Sequence, residues 1–188
     1  MKALIFFICL IWSGSTWSDN FKIVKIMDGL KSPWSLTFVD GSNILITQKS
    51  GELLYVNIKN KTTDIIKHNL SITEQGQGGL LDVLYKDKIV YISYSEIRIG
   101  GKSSTSIATG KFNKRNIFFK NIFRANPPIA SGYHFGSRII IRGDYLFASL
   151  GERGMGQIAQ DPTKHPGSII RIKLNGEIHE DNPRFVDK

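Results

Sequence analysis

Three glycine-rich loops carry the residues of this sequence that are best suited to proton transfer. The loops are GQGG at 76–79, GYHFGSR at 132–138 and GERG at 151–154. A histidine beside a carboxylate is a usable general base, because the carboxylate fixes the imidazole tautomer and stabilises the imidazolium that forms. His134 and Glu152 supply this pair, and Gln77 adds an uncharged donor and acceptor. If the loops meet, the sequence predicts a site built from these three side chains.

Other candidate groups are weaker. A histidine in a glycine-rich loop is often only a surface residue or a capping partner, so the prediction for His134 depends on convergence of the loops. His68 follows a charged edge strand and is expected to be solvated, whereas His165 could lie near the same face as His134, and His179 lies in the terminal turn region. No pair of histidines has the short spacing of a zinc site. Ser137 lacks the Gly-x-Ser-x-Gly frame of a serine nucleophile.

Short apolar runs, and no helical stripes, must position these loops. The runs alternate or are wholly apolar, and Gly, Asp, Asn and Ser separate them, which is the pattern of β-strands. The clearest runs are 35–39, 44–47, 53–58, 80–85, 89–94, 105–112, 137–141, 145–150 and 168–174. The sequence therefore predicts an all-β fold.

Polar turns recur between these runs at a spacing typical of a β-propeller. They lie at 40–43, 86–88 and 142–144, as expected for hairpins in four-stranded blades of ~40–50 residues. A β-sandwich would also have short strands, but it would not repeat the same order of strand, polar turn, strand and glycine-rich loop. In a propeller, the loop that enters a blade's innermost strand and the loop between its second and third strands lie on one face. Gln77, His134 and Glu152 would then share that face.

Only about three blades are present in this sequence. Four to eight blades need roughly 160–400 residues, and three blades alone would leave two sheet edges exposed. We therefore expect residues 19–188 to be the N-terminal part of a longer propeller, or else to cover these edges by forming a homodimer.

The first eighteen residues have the composition of a secretory signal peptide. Lys2 precedes the apolar run 3–12, and small or polar residues follow at 13–18. This run is too short to span roughly 30 Å of hydrocarbon, so we expect a periplasmic or secreted protein without stable membrane insertion. The single cysteine, Cys9, lies in this segment, which leaves the mature part without disulfides or thiolate ligands.

The charge of the chain does not indicate a nucleic-acid partner. The formal net charge is +9, from 25 basic and 16 acidic residues among 188. The basic residues are spread along the chain, whereas nucleic-acid binding favours clustered basic residues with aromatic platforms. With 41% hydrophobic and 22% charged residues, the composition is that of a globular protein that buries a core.

Seven motifs occur in the order found in a known enzyme family. They are PWSLTF (33–38), GQGGLLDV (76–83), YISY (91–94), HFGSR (134–138), GERG (151–154), AQD (159–161) and the segment from GEI to DNP (176–183). In these motifs the chain resembles the soluble sugar dehydrogenases that use pyrroloquinoline quinone (PQQ), which include soluble glucose dehydrogenase and the bacterial aldose sugar dehydrogenases. The resemblance is closer to the aldose branch and covers essentially the whole chain after the leader.

The resemblance implies a six-bladed propeller with the quinone over its central axis, held by side chains and a calcium ion. His134 matches the family's catalytic base, Glu152 matches the acidic partner of that base, and Gln77 matches the glutamine that contacts the quinone. Tyr133 stands where the glucose enzyme has an acidic residue before the histidine, so the resemblance does not imply a preference for glucose. The family's calcium ligands, and the basic residues that pair with the quinone carboxylates, come from later blades. No metal ligand is therefore expected in this chain.

The resulting hypothesis is an exported oxidoreductase that oxidises the anomeric hydroxyl of aldose sugars to lactones. Hydride would pass to PQQ and the electrons then to an external acceptor, although these residues alone are expected to be inactive. The alternative is a propeller that binds a sugar or a cell-wall polymer without redox chemistry. This alternative is favoured because the family's calcium ligands and quinone-carboxylate partners are not in this chain. A calcium-dependent lactonase would need carboxylates around the axis, and Asp82 and Asp161 are too few.

Overall fold

The computed structural model describes residues 21–183, which form twelve β-strands and two short 3-10 helices. The predicted leader, residues 1–18, lies outside the described residues. The strands are β1 (Pro33–Phe38), β2 (Asn43–Gln48), β3 (Leu53–Asn57), β4 (Thr62–His68), β5 (Leu80–Lys86), β6 (Ile89–Arg98), β7 (Lys102–Lys111), β8 (Asn116–Ile117), β9 (Lys120–Arg124), β10 (Gly136–Arg142), β11 (Tyr145–Leu150) and β12 (Ile169–Lys173). The 3-10 helices are Ile99–Gly101 and Gly156–Gln160. The prediction of an all-β fold is confirmed.

The strands form three sheets that correspond to consecutive propeller blades. Blade 1 has the order β1-β2-β3-β4 with β8 at its edge, blade 2 has the order β5-β6-β7-β9, and blade 3 has the order β10-β11-β12. β5 contacts both β1 and β10, so the first strands of the blades lie side by side as inner strands. Over the described part of the chain, the sheets do not close into a ring. The fold is thus a part of a β-propeller with about three blades, as the sequence predicts.

Within the described residues, two hydrophobic cores lie between adjacent blades, and a third cluster, which includes Ile44 and Ile46, lies on the other face of blade 1. On β6, Val90 and Ile92 belong to the core shared with blade 1, whereas Tyr91 belongs to the core shared with blade 3. Because blade 2 is covered on both faces, β6 is buried along most of its length and its apolar run is continuous. β10 alternates between buried and more exposed positions over most of its length, as expected for a strand covered mainly on one face.

The strand β8 connects blade 2 back to blade 1. It lies in the connection from β7 to β9 and pairs in parallel with the end of β4. Next to it, the side-chain amide of Asn69 donates to the carbonyl of Phe119 at 3.0 Å and accepts from the Phe119 N–H at 2.8 Å. The apolar runs do not indicate β8 or β9, because β8 has two residues and β9 has charged, exposed ends.

A buried carboxylate joins the inner strands of all three blades. Asp82 on β5 is 5% exposed. Its Oδ1 accepts hydrogen bonds from Ser35 Oγ at 2.5 Å and from Arg138 Nη1 at 3.2 Å. Its Oδ2 accepts from the backbone N–H of Ile139 at 2.8 Å. Ser35 belongs to β1, and Arg138 and Ile139 belong to β10, so one side chain sets the spacing of the three inner strands.

We expect Asp82→Asn to lower the free energy of unfolding by about 1–3 kcal/mol, because an amide N–H replaces an acceptor among buried donors. Chemical denaturation followed by tryptophan fluorescence measures this change. Asp64→Asn on the exposed part of β4 is the matched control, and its effect should stay within about 0.5 kcal/mol. Equal effects of the two substitutions would show that Asp82 does not join the blades.

Candidate active site

The three glycine-rich loops lie against one another at one end of the inner strands. The backbone N–H of Gln77 donates to the carbonyl of Gly132 at 2.7 Å. A Cβ on Gly76, which has φ +60, would lie 2.5 Å from the same carbonyl oxygen. A Cβ on Gly151 would lie only 1.9 Å from the carbonyl oxygen of His134. The close backbone approach therefore requires glycine at both contacts.

His134 and Glu152 form a hydrogen-bonded pair on this surface. Nδ1 of His134 is bonded to Oε1 of Glu152, and the backbone N–H of Gly154 donates to the same oxygen at 3.1 Å. The His134 side chain is 52% exposed, and within residues 21–183 its Nε2 has no hydrogen-bond partner. Because the ionised carboxylate accepts a hydrogen bond from Nδ1–H, the lone pair of the neutral imidazole lies on Nε2, where it can accept a proton.

The pKa of Glu152 lies below the usual value for a glutamate. The hydrogen bond with His134 is the main cause, and backbone N–H donors, including that of Gly154, lower this pKa further. Glu152 is therefore ionised at neutral pH. An ionised partner can stabilise a positive charge on the imidazole ring.

Gln77 fixes the backbone of His134. Its Oε1 accepts a hydrogen bond from the backbone N–H of His134 at 2.8 Å, and His134 has φ +46, a conformation uncommon outside glycine. Lys49 of blade 1 supports the Gln77 loop, since its Nζ donates to the carbonyl of Gly76 at 2.7 Å. Within the described residues the amide nitrogen of Gln77 makes no hydrogen bond, so it remains available to a ligand.

The structure brings the three predicted residues together, and it adds two that sequence reasoning missed. Lys49 has no signal in the sequence, because its contact with the Gln77 loop depends on the packing of blade 1 against blade 2. Arg153 is 3% exposed, whereas a charged residue between glycines is normally expected at the surface. The ring of Tyr133 is exposed and lies 6.2 Å from that of His134.

The other three histidines have structural partners. The expectation that His68 is solvated is wrong, because its ring is half-buried, bonds to a backbone carbonyl and packs edge-on against Phe119. Burial lowers the pKa of His165 below its usual value. The polar contacts are His68 Nε2 with the Gly51 carbonyl at 2.7 Å, His165 Nδ1 with the Asn126 N–H at 2.9 Å, and His179 Nε2 with the Tyr145 hydroxyl at 2.7 Å.

Within residues 21–183, no group of three or more His, Cys, Asp or Glu side chains is arranged to hold a metal ion. Over the same residues, no helix has the length and apolar character needed to cross a bilayer.

Comparison with known proteins identifies relatives of the chain. It is 33% identical over 192 residues to aldose sugar dehydrogenase YliI of Escherichia coli. The aligned region covers 96% of this chain and 51% of that protein. The chain is 24% identical to quinoprotein glucose dehydrogenase B of Acinetobacter calcoaceticus, with coverages of 89% and 42%. The chain spans about half the length of the curated relatives it matches.

Solved structures show the same fold. The apo-form of the soluble aldose sugar dehydrogenase from Escherichia coli superposes with a TM-score of 0.79 and 33% identity, covering 84% of this chain and 48% of that one. The PQQ-bound aldose sugar dehydrogenase of Streptomyces coelicolor has a TM-score of 0.76 and 24% identity, with coverages of 87% and 51%, and supports the fold alone. Residues 30–188 match the glucose/sorbosone dehydrogenase family. The resemblance found in the seven motifs is thus confirmed, and the chain belongs to the glucose/sorbosone dehydrogenase family.

Proposed function

We propose that this chain supplies the proton-transfer part of a quinone-dependent aldose dehydrogenase. The observation that carries the proposal is the hydrogen bond between Nδ1 of His134 and Glu152, which leaves Nε2 without a partner among the described residues on an exposed surface. The relatives named aldose sugar dehydrogenase and quinoprotein glucose dehydrogenase support the substrate class and the cofactor. His134 is the proposed general base, Glu152 its orienting partner, and Gln77 a cofactor-binding residue.

Oxidation of an aldose to a lactone removes a proton from the anomeric hydroxyl and a hydride from the anomeric carbon. Nε2 of His134 accepts the hydroxyl proton, so that the C–O bond becomes a carbonyl as the C–H bond breaks. PQQ, when bound, supplies the two-electron acceptor for the hydride. Glu152 stabilises the imidazolium that results, and Gln77 holds the backbone of His134 in place.

The described residues could bind some of the polar groups of PQQ. The amide nitrogen of Gln77 can donate to a quinone oxygen, whereas the carboxylates of PQQ need cations. Lys49 is a cation near this surface, and its Nζ already donates to the Gly76 carbonyl. As the family resemblance implies, we propose that the calcium ligands and the residues that pair with the quinone carboxylates lie outside residues 21–183.

Three further parts of the hypothesis concern the whole protein. We propose that residues 1–18 are a signal peptide, that the protein is periplasmic or secreted, and that an external acceptor reoxidises the cofactor. Residues 19–188 would be the N-terminal part of a longer propeller, in keeping with coverage of about half of each relative. A homodimer is the alternative way of covering the open sheet edges.

Titration of the intact protein with PQQ, with and without Ca²⁺, tests the proposed function. We expect absorbance changes that require both components, followed by aldose-dependent reduction of a dye acceptor. A failure of PQQ to bind in the presence of Ca²⁺ would contradict the oxidoreductase. If aldoses or cell-wall polymers nevertheless bound in calorimetry, the non-catalytic propeller would be the correct function.

We expect Glu152→Gln to lower kcat for aldose oxidation by about 10–100-fold. The substitution replaces a charged acceptor by a neutral one, and a hydrogen bond to a charged group is worth about 1.5–3 kcal/mol. Steady-state dye reduction measures this effect. Glu177→Gln in an exposed turn is the control and should retain full activity. If Glu152→Gln were equally active, the carboxylate would not stabilise the imidazolium.

A further inference from the structure

Arg153 is a buried cation directly after Glu152. Only 3% of the residue is exposed, and its φ is +63. Within residues 21–183 it makes no ion pair with a carboxylate. Burial lowers the pKa of Arg153 to about 10, so the side chain still carries its charge at neutral pH. A buried charge without a carboxylate is costly unless dipoles compensate it.

The guanidinium is compensated by oxygen atoms from two segments. Nε donates to the Tyr133 carbonyl at 2.9 Å, and Nη2 donates to the Ser131 carbonyl. From the other side, the Ser103 carbonyl accepts from Nη1 at 3.0 Å and the Ser103 hydroxyl accepts from Nη2 at 2.9 Å. The guanidinium carbon also lies 3.6 Å from the centre of the Phe135 ring. Because Ser103 belongs to β7, Arg153 joins the loop 131–135 of blade 3 to blade 2.

Arg153 contacts the residues on both sides of His134 in the sequence. Arg153 binds the carbonyl of the residue before His134 and stacks on the ring of the residue after it. The backbone N–H of Arg153 also donates to the His134 carbonyl at 3.3 Å. The acceptors lie in several directions around a planar group, an arrangement that the fork of arginine satisfies and the single ammonium of lysine does not.

We propose that Arg153 is a positioning residue, which holds His134 at hydrogen-bonding distance from Glu152 so that Nε2 faces the substrate. This inference rests on the proposed function for its effect on catalysis. The hydrogen bond that it preserves is a property of the folded chain and can be observed without cofactor or substrate.

The test compares Arg153→Lys and Arg153→Met with the wild type in the intact protein. Proton NMR without cofactor reports the Nδ1–H signal of His134, which is assigned by its absence in His134→Gln. We expect a downfield signal in the wild type that is lost or moved upfield in both variants. Arg124→Lys, which alters a guanidinium that bonds to Glu96, is the matched control and should leave the signal unchanged.

Kinetics of the enzyme loaded with PQQ and Ca²⁺ give the second readout. Since a displacement of about 1 Å at a catalytic group can cost about 10²-fold, we expect kcat of Arg153→Lys to fall by roughly 10–100-fold. The KM for aldose should change much less. A wild type without dehydrogenase activity would overturn the proposed function but would leave the NMR result as the test of positioning.

The Nδ1–H signal of His134 is the criterion for both Arg153 variants. If Arg153→Met does not fold, Arg153→Lys decides, because it keeps the charge and most of the side-chain volume. An unchanged Nδ1–H signal in a folded Arg153→Lys variant would overturn the proposal, whatever its activity.

Discussion

Replacing His134 with glutamine is expected to lower kcat of the enzyme loaded with PQQ and Ca²⁺ by about 10²–10⁴-fold, the usual contribution of a general base. Glutamine is polar and similar in length, but it cannot accept and hold the hydroxyl proton. Nδ1 of His134 is engaged with Glu152, and Nε2 is the nitrogen that would act. Dye reduction at saturating aldose measures the loss.

His179→Gln is the control for this substitution. The His179 ring bonds to the hydroxyl of Tyr145, away from the three loops, so its replacement should leave kcat within a factor of about two, as expected for a change of less than 0.5 kcal/mol. Titration with PQQ shows whether His134→Gln still binds the cofactor. If the loaded variant retained most of its activity, His134 would not be the base.

Gly151→Ala is expected to reduce activity by about 10²-fold and to lower the free energy of unfolding by about 1–3 kcal/mol. The added Cβ would lie 1.9 Å from the carbonyl oxygen of His134 and 3.0 Å from the Gly136 nitrogen. Both are backbone atoms, so the loops must move apart, and displacement of the base by about 1 Å is enough for this loss. The stability cost is that of inserting a methyl group into a well-packed region.

The control for crowding is Gly156→Ala. A Cβ at Gly156 would meet nothing within 4 Å, so this variant should be as stable and as active as the wild type. Thermal denaturation and dye reduction should be measured on both variants. An active Gly151→Ala would mean that His134 and Glu152 need not keep their observed spacing.

The general position of the candidate site could be predicted from the sequence because it depends on chain order. In each blade, the entry loop of the innermost strand and the loop after the second strand lie at the same end. The repeat of strands and turns was therefore enough to bring Gln77, His134 and Glu152 to one face. The spacing of the polar turns between apolar runs also predicts about three blades. The second strands β2 and β6 are easily recognised, because they are covered on both faces and their apolar runs are continuous.

The remaining features depend on contacts that have no local pattern. Arg153 can be buried because acceptors from β7 and from the loop 131–133 bind its guanidinium, and these contacts cannot be recognised in GERG. Asp82 bonds to two other blades, but as a single acid in an apolar run it had no assigned role. The exposed strand ends and short length of β8 and β9 hide them from a search for apolar periodicity.

The return of β8 to the edge of β4 has a consequence for protein engineering and for the evolution of such chains. A propeller of independent blades could be shortened, permuted or recombined at any boundary between blades. Here a cut between β4 and β5 would separate β4 from its parallel partner and Asn69 from Phe119. A productive chimaera should therefore keep blades 1 and 2 together.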